Sequence, residues 1–144
     1  KNLLCPPCSH NNAEREDIGY SSAWLHHKGR NKHHYEYWID YSMQALPGGM
    51  APVPMPDRYI AEMIMDRIAA SKVYMGDKYT DRSPLDYYYR GTDKAPIHPK
   101  TKAKLLYVLE MLAEQGEEKT FQFIKEELVQ HKRCMDWHQL EKAE

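Results

Sequence analysis

The chain has 144 residues, a length that suits one domain able to bury about two-thirds of its unfolded surface without a covalent or metal staple. A formal charge of -1 supplies no global field for nucleic acid or an anionic membrane, and an odd count of three cysteines argues against a secreted disulfide scaffold. No run approaches the roughly 18 apolar residues of a membrane span and no apolar signal segment opens the sequence, so a cytoplasmic location is expected.

Residues Lys1 to Asn11 show no periodicity, and Cys5-Pro6-Pro7-Cys8 predicts an irregular tail, with a single helical domain over 12–144. Helical spacing begins at Asn12, with Ile18, Ser22 and Leu25 on one face, Trp24 beside it and Gly29 as the expected stop. His34, Tyr37, Trp38 and Tyr41 predict a short helix over Asn31 to Tyr41. Leu46 to Pro56, rich in proline and glycine, reads as a loop long enough to cover a site.

The strongest helix starts at Pro56 and runs to about Tyr74. Ile60, Met63, Ile64, Arg67, Ile68 and Ser71 share one of its faces; Glu62, Asp66, Ala69 and Val73 share the opposite one. Met75 to Arg82 is a turn. Ser83-Pro84-Leu85-Asp86 resembles a capping box opening a short aromatic helix to Tyr89. Gly91 to Pro99 is a loop, with His98 as a helix-entry residue. Lys100 to Gln115 is a helix stopped by Gly116, and Glu117 to His131 is another. No alternating stretch reads as a strand. The fold class expected is all-α, a compact bundle of about six helices.

Four of the eight histidines, His26, His27, His33 and His34, flank one tight turn. Neutral imidazole is the commonest protein metal ligand, and pairs before and after a turn can converge on one point. Asp66 would add an anionic oxygen, and Glu62, one turn earlier, would ligate or orient a ligand ring. Such a mixed set suits Fe, Mn, Zn or Ni better than Ca or Mg. Surface histidines and nucleic-acid contact are the competing readings of the same residues, and Lys28, Arg30 and Lys32 are either anion-attracting groups or a basic solvated loop. A zinc site from Cys5, Cys8, Cys134 and His138 has the right ligand count but widely separated halves. The Tyr87-Tyr88-Tyr89 run reads as core and rim packing.

The phrases His27-Lys28-x-x-Asn31-x-His33-His34-x-Glu36-Tyr37-Trp38, Met55-Pro56-x-x-Tyr59-Ile60-x-Glu62-Met63-x-x-Asp66, Pro84-Leu85-x-Tyr87-Tyr88 and His98-Pro99-x-Thr101 resemble an uncharacterised bacterial and phage family of small helical proteins, over about Asn11 to Gly116. That family is similar to HD-type metal-dependent phosphohydrolases. The resemblance implies His27, His33, His34 and Asp66 as ligands of a divalent transition metal, supported from behind by Glu62, Asn31 and Glu36. It implies Lys28 and Arg30 as the residues that stabilise charge on a transferring phosphoryl group. The upstream histidine and His-Asp pair of the HD pattern do not occur here, so an HD-like bundle truncated at its N-terminus is expected. The implied function is hydrolysis of a nucleotide or other phosphoester. The alternatives are a non-catalytic metal- or ligand-binding helical module and a phage-related nucleic-acid accessory protein. The partner expected is a small phosphorylated substrate, with no membrane, nucleic acid disfavoured, and homo-oligomerisation left open.

Overall fold

A computed structural model describes residues 6–44 and 49–132, with side chains from residue 12 onward. Six α-helices occur among them: α1 (Pro6–Ile18), α2 (Ser22–Arg30), α3 (Asp57–Met75), α4 (Ser83–Tyr89), α5 (Pro99–Gln115) and α6 (Glu117–Phe123). The mainly helical fold expected from periodicity is observed. No described helix is long and apolar enough to cross a membrane.

The two long amphipathic helices make the core. Ile60, Met63, Ile64 and Ile68 of α3 meet Leu105, Val108, Leu109 and Leu112 of α5, with Leu85 and Tyr88 of α4 and Leu128 closing the sides. Apolar residues three and four apart form a continuous stripe on each helix, and burying the two stripes together removes both from water. The opposite face of α3, with Glu62, Asp66, Ala69 and Val73, stays exposed. Helix α5 begins at Pro99 behind His98, whose Nδ1 accepts from the Lys100 N–H (3.2 Å), as expected of a helix-entry residue. It stops at Gly116, whose φ of 83° is the left-handed conformation glycine adopts without strain.

One buried polar bond ties the start of α3 to α5. The Met55 N–H donates to Thr101 Oγ1 (2.9 Å), and both residues are buried. Thr101→Val keeps the shape but leaves that N–H without an acceptor. A loss of about 1–3 kcal/mol in urea-unfolding free energy is expected.

Several local expectations are corrected. Residues from Pro6 to Asn11 are helical, because prolines fit the first turn of a helix, where N–H groups lack acceptors in any case. The cysteines of the zinc alternative, Cys5 and Cys134, and its His138 lie outside the described residues, as does the Cys8 side chain. The helix expected from Asn12 to Gly29 is two helices, broken at Gly19 (φ 85°) and restarted by Ser21, whose Oγ accepts from the Trp24 N–H. Gly29 lies inside α2, which ends at Arg30. The Ile18–Leu25 stripe buries little: each is about half exposed, and α2 contains no buried residue.

The helix expected over Asn31 to Tyr41 is a 3-10 turn, Tyr35–Trp38, followed by β1 (Ile39–Tyr41). That strand pairs antiparallel with β2 (Met50–Pro52), in register Ile39↔Pro52 and Tyr41↔Met50. Part of the Leu46 to Pro56 loop is therefore a strand, on which Pro52 sits at the hairpin's end. Ser83 does not cap α4; its Oγ instead accepts from the Thr80 N–H (2.9 Å), and the helix starts at Ser83 itself. Beyond α6 the chain continues as one π-helical segment, Ile124–Val129, in place of regular α-helix. Tyr88 is buried while Tyr87 and Tyr89 are about half exposed, the core-and-rim pattern expected of that run.

Candidate metal centre

Asn31 shapes the turn that gathers the histidines. Its N–H and its side-chain amide both donate to the His27 carbonyl, at 3.2 and 2.8 Å, closing the end of α2. Its carbonyl accepts from the His34 N–H (3.2 Å), so the chain folds straight back. The turn is then pinned to α3. Trp38 Nε1–H donates to the Lys32 carbonyl (2.7 Å), Trp38 packs on Tyr59 at 5.7 Å between ring centroids, and Lys32 Nζ lies over Tyr59.

His27 of α2 and His33 and His34 of the turn converge as a result. Each offers a ring nitrogen, and these nitrogens lie within 4.8 Å of one another. The rings contact edge to face or tilted, with centroids 4.4 Å apart for His33–His34 and 4.9 Å for His27–His34. Trp24 of α2 covers the group, 5.0 Å from His34 and 5.5 Å from His27. Ring stacking alone would satisfy the ring faces only. The buried Nε2 atoms of both His33 and His34 have no hydrogen-bond partner among the described residues. Buried polar atoms are nearly always paired, so two adjacent orphans mark a place for a shared acceptor of lone pairs or donor of protons. A divalent metal fits that description, since it takes the lone pairs of neutral imidazoles.

The carboxylates stand at the edge of this group. Glu62 Oε2 lies 3.9 Å from His33 Nδ1, within ion-pair reach but beyond hydrogen-bond distance. Asp66, the expected closing ligand, is exposed and is not one of the tight group, though its charge acts on His34. Asn31 supports His27 directly, its side-chain amide 3.3 Å from Nδ1. Glu36 acts electrostatically on Arg67 and Tyr35 rather than backing a histidine. His26 is exposed and outside the cluster. Lys28 and Arg30 form no hydrogen bond or ion pair with another described residue, and Arg30 is exposed.

Burial pulls His34 down to about 4, and the neighbouring His33 and His27 act in the same direction, while Asp66 opposes them. The ring is therefore neutral at pH 7 and ready to donate a lone pair. In the metal-free protein the unfolded chain binds this proton at about 6.5 while the folded chain refuses it until about 4. The unfolded state thus holds more protons between those values, and stability falls as pH drops from about 6.5 to about 4. His34→Gln, which cannot titrate, is expected to flatten that part of the stability profile, measured by urea melts across pH 4–7.

Arg67 was expected only as part of the apolar stripe of α3. It is partly buried, its Nη1–H donates to Thr92 Oγ1 (3.1 Å), and its buried Nε has no partner among the described residues. Burial lowers its pKa; Tyr87, Tyr35, Asp66 and Glu36 pull it back up. The signal available in the sequence was an arginine inside an apolar stripe.

The arrangement defines a small, mainly α-helical protein with three converging histidines near the helix that carries Glu62, Asp66 and Arg67. The chain belongs to DUF5662, a family of unknown function, which matches residues 7–111 and so spans α1 through most of α5. No curated protein and no solved structure matches it.

Proposed function

We propose that the protein is a metal-dependent phosphohydrolase acting on a nucleotide or another phosphoester, with His27, His33 and His34 holding one divalent Fe, Mn, Zn or Ni ion. The observation that supports this reading is the convergence of three imidazoles, two of which have buried Nε2 atoms with no partner among the described residues. Three histidine ligands leave a coordination position open, which is the pattern of catalytic rather than closed structural sites. When bound, such an ion supplies Lewis acidity and activates water.

The chain's own groups do the rest. Glu62 stands within ion-pair reach of His33, and Asp66 contributes negative charge facing His34. Hydrolysis forms a bond from the water oxygen to phosphorus and breaks the bond to the leaving oxygen. Glu62 takes the water's proton, and the leaving oxygen is protonated from solvent. Lys28 and Arg30 supply positive charge at the rim toward an anionic substrate. The protein acts in the cytoplasm on a small phosphorylated substrate in this reading.

A non-catalytic metal-binding module is the second reading, favoured by a tight histidine group that includes no carboxylate among the described residues. Hydrolysis of p-nitrophenyl phosphate and its bis-ester by the full chain, loaded in turn with Mn, Fe, Ni or Zn, separates the two. Turnover that requires metal is expected, and it is expected to disappear in Glu62→Gln brought to full metal occupancy with excess ion. Stoichiometric metal without turnover on either ester selects the second reading.

A further inference from the structure

Arg67 presents an unbalanced charge. It forms no ion pair with any described residue. A guanidinium carries five N–H donors, and a buried one is normally matched by a carboxylate or phosphate in fork geometry. Here the described structure gives it a single hydrogen bond, to Thr92 Oγ1, and its buried Nε points at no acceptor. The carboxylates of Asp66 and Glu36 act on it only from beyond ion-pair distance, together with the phenols of Tyr35 and Tyr87. Leaving such a cation incompletely matched costs stability, so the environment is better explained by an anion that completes it. The charge of Arg67 also reaches His34.

We propose that Arg67 anchors an anion subsite beside the three histidines, and that the group it takes is a phosphoryl group. The assignment to a phosphoryl group rests on the metal-dependent reading above; the subsite itself does not. A carboxylate gripped by both arms of a guanidinium has both its oxygens engaged, leaving only their second lone pairs for another cation. A phosphoryl group has a third oxygen, which can face the histidines while two engage Arg67. Free phosphate and the phosphoryl end of an ester share this chemistry.

Calorimetric titration of the full chain, nickel-loaded and nickel-free, with inorganic phosphate and separately with phenyl phosphate tests the proposal. Both ligands are expected to bind wild type, and Arg67→Gln is expected to weaken both by about 10- to 100-fold with nickel content unchanged. Arg67→Lys, which keeps the charge and loses the fork, serves if the glutamine variant fails to fold; its affinity is expected to fall as well. Phenyl phosphate binding at least as tightly as phosphate assigns the site to an ester, and the reverse order assigns it to the free anion, with Arg67 its anchor in both cases. Phosphate affinity equal in wild type and a folded Arg67 variant overturns the proposal, as does acetate binding as tightly as phosphate. Arg67-dependent phosphate binding by a chain that takes up no nickel keeps the subsite and removes the metal reading instead.

Discussion

His34→Ala is expected to abolish stoichiometric binding of a divalent transition metal, taking nickel or zinc content from about one ion per chain to near zero after desalting. Loss of a group that merely supports a ligand already weakens metal binding by about 10- to 100-fold. His34 stands at the centre of the cluster, in ring contact with both His27 and His33 and with Trp24. Removing it leaves two imidazoles whose centroids are 6.5 Å apart. His33→Ala is expected to act the same way, while His26→Ala, which removes an exposed ring outside the cluster, should leave metal content intact. The measurement is metal content by atomic emission, with thermal melts alongside. Saturating metal at about one hundred times Kd adds about 2.7 kcal/mol to wild-type stability and none to the His34 variant. Equal metal content in wild type and His34→Ala would remove the proposed centre.

Leu109→Ala is expected to cost about 3–5 kcal/mol of stability and to lower the melting temperature by about 10 °C. Leu109 is fully buried on α5, in the cluster formed with α3, α4 and Leu128. Its truncation leaves a void that the surrounding helices close only in part. The same variant is expected to keep its metal at temperatures where it remains folded, because the histidines come from α2 and the following turn, and α2 contributes no buried residue. Urea melts and metal content measured on one preparation separate the two effects. A change below about 1 kcal/mol would mean that α5 does not pack as described.

These two variants mark what could be read before the structure was known. Helices α3 and α5 were legible because each repeats apolar residues over four turns or more, with proline at the entry and glycine at the α5 exit. The β1–β2 hairpin was not, since each strand has three residues and one contains proline, too short for alternation to register. The Ile18–Ser22–Leu25 spacing ran unbroken across Gly19, so periodicity hid a break that a positive φ and the Ser21 cap create together. At the site, the histidines were legible from their number in one short stretch. Which carboxylate comes near was not: Glu62 and Asp66 share a helix face, and only the approach of the turn to α3 brings Glu62 to 3.9 Å from His33. The isolation of Arg67 was equally hidden, because a missing counter-charge depends on every chain segment around it.

Helix α2 rests on the molecule without burying a side chain, yet it carries one of three converging imidazoles while the other two ride on a turn pinned to α3. An ion at that point would work as a clasp, fastening α2, and α1 with it, to the body across the turn at Asn31. Chelation would then release the arm first, leaving the core intact, and limited proteolysis would cut near the Asn31 turn before the rest of the chain gave way.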